Sequence, residues 1–570
     1  MKLLNKIIIL LLGIILISAC DEDKILEEIP VDFASPNNFY KTMADYDLAV
    51  NGMLSQAREV LSADENVILD LQYGTDIGVN NTPNLSAWYG SYPLVLNSNA
   101  NFVLWHWQKY YKLISSANTA INRLETSRLT EAEKNLVEAK ARFFRGLAYK
   151  NLAHLYGGVP IELEEVSSPK TNYTRASRNE VYQQAASDLD FAANNLPTID
   201  QVQDWQVNNL AAYHLLSEVY ISLQQWDDAI QAATVVIDDP NTALMTQRFG
   251  TRSSEPGDVY WDLFRQGNQN RSSGNTEAIM VWQYEVDILG GVQESTSNVG
   301  PRLERNWAPF VGQIRYNDPA GLRPIISPAS DYTGGRGIGR LKPTWHHSHG
   351  VWMDDWDDMR NSEYNWIRDI TFNNPESEWF GQKMSDYPDW FPQQRNDTTR
   401  FWYPFPSKIT TPGKHPDGLF LNKDILLLSN SAGTTYTDQY FIRLAETYLL
   451  RAEAYLGAGD IDNAAADINI VRARANAELI ASADVDIDFI LDERIRELGT
   501  EELRQLTLRR LGLLYDRVSR YAKPTGTNGN DQIMVDGFGV EPHHNLWPIP
   551  FSEIERNTDA VLEQNPDYSG

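Results

Sequence analysis

The chain has 570 residues, 49 of them Lys or Arg against 77 Asp or Glu, giving a net charge of −28 and a pI near 4.7. Negative charge on that scale repels phosphate backbones and excludes nucleic acid as a partner. A single cysteine excludes a disulfide framework within the chain. The 16 Trp and 27 Tyr exceed what a core of this size requires, so aromatic faces are expected in loops, where they serve recognition.

At the amino end, Lys2 and Lys6 precede an apolar run from Ile7 to Ile17, the layout of a secretion signal. That run is shorter than the roughly 20 residues a spanning helix needs. Ile17-Ser18-Ala19-Cys20 fits a lipobox at every position, so cleavage is expected before Cys20, with acyl chains attached to it. An ordinary signal peptide that contains a cysteine is the alternative. The expected organisation is a signal peptide at 1–19, an acidic tether at 20–35 and one helical body at 36–570. No segment beyond the leader is long and apolar enough to enter a membrane, so membrane contact is expected through the lipid alone.

Within that body, Glu133 to Tyr156 carries Phe144, Ala148, Leu152 and Leu155 on one helical face and stops at Gly157-Gly158. A helix opens near Ser177, carries Val181, Ala185, Leu189 and Ala192, and ends before Pro197. Leu210 to Ile237 reads as helix, tight turn, helix. The same design returns from Tyr440 to Ala475, with Asp460 as the N-cap of its second helix. Tyr220 precedes Ala229 by the interval that separates Tyr455 from Ala464, with small alanines where helices cross. Such hairpins resemble tetratricopeptide units. Between them, at about 242–438, periodicity fades and Gly, Pro, Asn, Asp and Trp accumulate. The fold class expected is therefore all-α, with tetratricopeptide-like hairpins and a long, irregular, loop-rich insertion.

Several stretches together resemble the SusD/RagB-like outer-membrane glycan-binding lipoproteins. They include Trp107 to Asn118, Phe144-Arg145-Gly146 through Pro160, Arg175 to Tyr182, Ile442 to Tyr448 with Arg451 to Ala454, and Asn469 to Ala475. Asp492-Glu493-Arg494 with Glu497-Leu498, Leu546 to Pro550 and Gln564-Asn565-Pro566 complete the set. The resemblance implies a lipid-anchored protein on the cell surface that captures oligosaccharide and acts as a lid on a SusC-like TonB-dependent transporter. Among the matched residues, Arg145, Arg443, Glu446 and Arg494 sit inside amphipathic helices and are expected to form ion pairs or caps.

Sugars stack their C–H faces on aromatic rings and take hydrogen bonds at their hydroxyl edges, so a glycan site needs loop-borne Trp or Tyr beside polar groups. Two regions qualify. The first contributes Tyr73, Asp76, Trp88, Tyr89, Tyr92 and Asn97. The second, in the insertion, contributes Trp307, Trp345, Trp352, Trp356 and Trp366 among His346, His347, Asp354, Asp355, Arg360 and Asn361. The resemblance is the reason to join the two regions. Trp105, Trp107, Trp226 and Trp547 are assigned to the core. The acidic run Asp354 to Asp358 beside three histidines matches neither a calcium loop nor a zinc motif, and no metal or cofactor is expected. No nucleophile or phosphate-loop motif is present, so binding without catalysis is expected. A surface glycoside hydrolase built on two carboxylates, and a lid that takes up peptide, are the alternatives.

Overall fold

A computed structural model describes residues 39–63, 65–81, 89–288, 291–292, 300–314, 317–387, 400–410, 412–522 and 536–569. Cys20 and Trp88 lie outside them. Helix α1 (Met43–Arg58) opens on a capping box between Thr42 and Asp45, and α2 (Glu65–Leu71) follows. Next come α3 (Asn101–Arg123), which packs on α1, and then α4 (Glu131–Tyr156), α5 (Arg178–Asn195), α6 (Asn209–Ser222) and α7 (Trp226–Ile237), each packed on the one before. Capping boxes open α4 at Thr130 and α5 at Ser177, and Gly157 closes α4 with a φ of +76° that a side chain would resist.

The stack then continues across the insertion, because α7 packs directly on α8 (Leu444–Ala458), which turns through Gly459 into α9 (Ile461–Arg474). Asp460 caps α9 by accepting from the Asn463 amide. The Trp226 ring lies so close to α8 that a Cβ on Gly457 would come within 2.6 Å of it. Helices α10 (Ile487–Glu497), α11 (Arg504–Leu511) and α12 (Leu514–Tyr521) complete the body. The result is a mostly helical, tetratricopeptide-like architecture. Its core is continuous from Leu147 and Leu189 on the helices to Trp307, Trp366 and Trp402 in the insertion.

The expected helix from Tyr440 begins four residues later. Gln439–Arg443 forms strand β4, which pairs antiparallel with β2 (Ala278–Trp282) and so brings the two ends of the insertion together. A second antiparallel pair joins β1 (Gly78–Asn80) to β3 (Leu341–Pro343) and lays the first aromatic region beside the insertion. Among the described residues no helix is long and apolar enough to cross a membrane.

A buried arginine–carboxylate network binds the carboxyl-terminal helices to everything else. Arg494 pairs with Glu446 and Glu502, and Arg145 with Asp188, from inside helices as expected, whereas Arg443, which pairs with Glu497 and Glu501, does so from the end of strand β4 and not from a helix. Glu493 accepts from Arg360 at 2.7 Å and from Arg472 and Arg496 at 2.9 Å. Burial alone would raise the Glu493 carboxyl, but Arg360, Arg496 and Arg472 outweigh it and hold the group at about 2. A carboxylate depressed in the folded state stabilises fully above its unfolded pKa of about 4.3 and loses that contribution as pH falls toward the folded value. Comparing the wild type with Glu493→Gln by urea unfolding, we expect the stability gap to narrow by about 2 kcal/mol between pH 5 and pH 3. A gap constant over that window would show that the carboxylate is not held low.

Candidate functional site

Thr344, just past β3, caps the single helical turn Trp345–Ser348 by accepting from the His347 amide at 3.0 Å, while its hydroxyl donates to the Asp76 carbonyl at 2.5 Å. The turn is therefore pinned to β1, and its inner side chains are fixed: His346 reaches Asp492 at 2.8 Å and His347 reaches the Ile77 carbonyl at 3.0 Å. With those two turned inward, Trp345 and His349 are left together on the outer side, as positions i and i+4 should be. Their rings lie nearly parallel, 12° apart with centroids at 6.2 Å, and Trp345 is 49% exposed.

Trp356 extends this surface. Its ring is also 49% exposed and stands 6.4 Å from His349 at 33°. Below it, Arg368 places its guanidinium 4.8 Å from the Trp356 ring and 5.1 Å from Trp366, a cation–π stack that fixes the indole without covering its outer face. Asn361 donates to the Trp356 carbonyl at 2.9 Å and accepts from Arg368. Burial, then the charge of Arg368, hold the His349 imidazole at about 4, so it is neutral at physiological pH and presents a flat uncharged ring.

Trp356 also forms one wall of a cleft of about 630 Å³ whose other walls include exposed Tyr332, Asn361, Glu363, Arg368 and Lys383. That volume falls within the roughly 300–1,000 Å³ of small-ligand pockets. Asp369, also in the wall, is occupied by Ser385, whose hydroxyl and amide both donate to it, and by the Ile370 amide. An aromatic shelf bordered by amide, carboxylate, guanidinium and ammonium groups can stack on a sugar ring while hydrogen-bonding its edge.

Several of the residues expected to face ligand do not reach the surface, Tyr92 and Trp366 among them. Tyr73 is enclosed in the core. Asp76 is buried between Arg504 and Arg517. Tyr89 packs on Tyr92 and donates to the Asp70 carbonyl at 3.2 Å. Trp307 is fully buried and donates to Gln72 at 2.7 Å, and Trp352 donates to the His347 carbonyl at 3.0 Å. The last two indoles pair their N–H inside the protein, which removes the usual reason for a tryptophan to keep its edge in water. Arg360, too, is wholly enclosed by Asp358, Glu493 and Glu497. Among the described residues no group of three His, Cys, Asp or Glu could hold a metal ion.

Asn97 lies apart from the shelf, in a second cleft of about 630 Å³ with Asn66, Asn99, Asn101, Phe102 and Trp105. Of the tryptophans assigned to the core, Trp107 and Trp547 are buried and Trp105 and Trp226 partly so. Tyr332, Arg368 and Lys383 were missed. Arg368 carried a usable signal, standing two residues beyond Trp366 on a short extended segment where alternate side chains share a face.

A profile described as the SusD family matches residues 276–568, and one described as starch-binding and associating with the outer membrane matches residues 31–221. A SusD-like protein of Formosa agariphila is 24% identical over 579 residues, covering 99% of both chains. A solved SusD-like protein of Bacteroides fragilis superposes with a TM-score of 0.66 at 19% identity, over 94% of this chain and 99% of that one. A laminarin-binding SusD-like protein gives 0.63 at 19% identity, over 93% and 100%. With the family profile spanning more than half its length, the chain belongs to the SusD family.

Proposed function

We propose that this protein is an outer-membrane lipoprotein, anchored through Cys20 and exposed at the cell surface, that binds oligosaccharide without turning it over and delivers it to a TonB-dependent transporter. The observation that carries the binding role is the open shelf of Trp345, His349 and Trp356, the last of which also walls a cleft that carries Asn361, Glu363, Arg368 and Lys383. Membership of the SusD family supports it, as do the laminarin-binding name of one structural relative and the outer-membrane association in one family description. The lipobox supports the anchor. The Asp369 carboxylate of the cleft is held by three donors, which suits a wall better than a proton-transfer group.

Isothermal calorimetry against neutral and acidic oligosaccharides tests the binding role. Saturable binding of at least one is expected, and heat-silent titrations throughout the panel would overturn it. Sugar release from polysaccharide on prolonged incubation would instead favour a hydrolase. Radiolabelled palmitate should enter the wild type and not Cys20→Ala, and the transporter should co-purify with the anchored protein.

A further inference from the structure

In a chain with net charge −28, one place is crowded with cations. The glycine-rich segment Gly334-Gly335-Arg336-Gly337-Ile338-Gly339-Arg340 lies flat on neighbouring backbone. A Cβ at Gly337 would meet the Pro309 and Ala308 carbonyls at 2.4 and 2.5 Å, and one at Gly339 would meet the Arg400 carbonyl at 2.4 Å. Hydrogen bonds lock the three strands of chain: Ile338 donates to the Arg305 carbonyl at 2.9 Å, Gly339 to Ala308 at 3.0 Å and Phe310 to Arg400 at 2.9 Å. This arrangement gathers Arg302, Arg305, Arg336, Arg340 and Arg400.

Glu65 forms ion pairs with three of this group, Arg302 at 2.5 Å, Arg340 at 2.7 Å and Arg305 at 3.3 Å. Arg336 and Arg400 are half-buried; among the described residues the charged neighbours of the first are Arg340 and Arg400 and that of the second is Arg340, while the Arg400 Nε donates to the Ile338 carbonyl. The Arg336 Nε is buried without a hydrogen-bond partner among the described residues. Arg400 also lies over the Phe310 ring at 5.6 Å. Like charges assembled by a rigid glycine segment raise the local potential and are relieved by an anion, which guanidinium groups bind in bidentate fashion. From Arg340, strand β3 leads to Trp345 in five residues, about 16 Å of extended chain. Arg340 and the aromatic shelf thus lie within the span of a short oligosaccharide.

We infer that the arginines of this glycine-rich segment and its neighbours form an oxyanion subsite, and that the ligand is an acidic glycan bearing sulfate esters or uronate carboxylates. The inference rests on the carbohydrate reading above and narrows it. The test uses the full-length protein in calorimetry with three probes of matched length: a neutral gluco-oligosaccharide, an oligogalacturonide and a sulfated galacto-oligosaccharide. At least one acidic probe should bind tenfold or more tightly than the neutral one, with affinity falling as salt is raised. Arg336→Gln and Arg400→Gln should each remove most of that advantage, leave neutral binding unchanged and leave the melting temperature unchanged or raised. Arg336→Lys should keep most of it. Which acidic probe gains identifies sulfate or carboxylate. Neutral binding with no acidic advantage would overturn the subsite alone, and no binding by any probe would overturn the carbohydrate reading with it. Glutamine variants that lose melting temperature and weaken all probes equally would make the cluster a structural tie.

Discussion

Asp76→Asn is expected to destabilise the protein by about 3–5 kcal/mol, the cost of breaking a buried ion pair by removing one partner. The carboxylate accepts from Arg504 at 2.8 and 2.7 Å and from Arg517 at 2.8 Å, and all three side chains are fully enclosed. Burial pushes the carboxyl up, yet Arg504 and Arg517 hold it well below the usual carboxylate range, so it is ionised at every pH where the fold persists. Asparagine has nearly the same shape but turns an N–H toward a guanidinium, setting donor against donor, and strips the only charge that Asp76 supplies to two buried cations. The loss should be global. Asp76 follows the turn after α2, its carbonyl receives Thr344, and its partners lie on α11 and α12, so one residue ties the amino-terminal region, the insertion and the carboxyl-terminal helices. Chemical unfolding would check the result. A midpoint within error of the wild type would mean that Glu502, Asp488 and Asp492 satisfy the two arginines without it.

That role could not be read from the chain. Asp76 stands among tyrosines in a loop, which is where a ligand-binding carboxylate also stands, and Arg504 is 428 residues away. The helices were legible because their evidence is local. Ser177 and Glu180, Asp460 and Asn463, and Gly157 each mark an end within four residues of it, and apolar spacing marks the buried face. Strand β4 was hidden for the opposite reason. Five residues carry no periodicity of their own, and what makes them a strand is Ala278 to Trp282, more than 150 residues earlier. The tryptophans divide in the same way. Trp345, Trp352 and Trp356 occupy similar polar surroundings in sequence, and what separates core from shelf is what packs on them: Trp366 and α10 enclose Trp352, while Trp345 and Trp356 stay half exposed. One local clue was available: Thr344 as a cap makes Trp345 and His349 an i, i+4 pair.

The double variant Trp345→Ala/Trp356→Ala is expected to weaken oligosaccharide binding about a hundredfold, close to 3 kcal/mol, if each exposed ring contributes about 1.5 kcal/mol of stacking. Melting temperature should barely change, since each indole gives half its surface to water and rests on a side chain, His349 or Arg368, that has other contacts. Trp307→Ala and Trp352→Ala should do the reverse. Each empties a fully enclosed volume and orphans a hydrogen bond, costing about 3–5 kcal/mol of stability, while the protein that remains folded binds as before. Calorimetry and thermal melts on the same four preparations separate the two behaviours. Should the double variant bind like the wild type, the shelf would not be the contact surface. The asparagine-lined cleft around Asn97 and Trp105 would then be the place to look, because it joins an indole to several amide side chains.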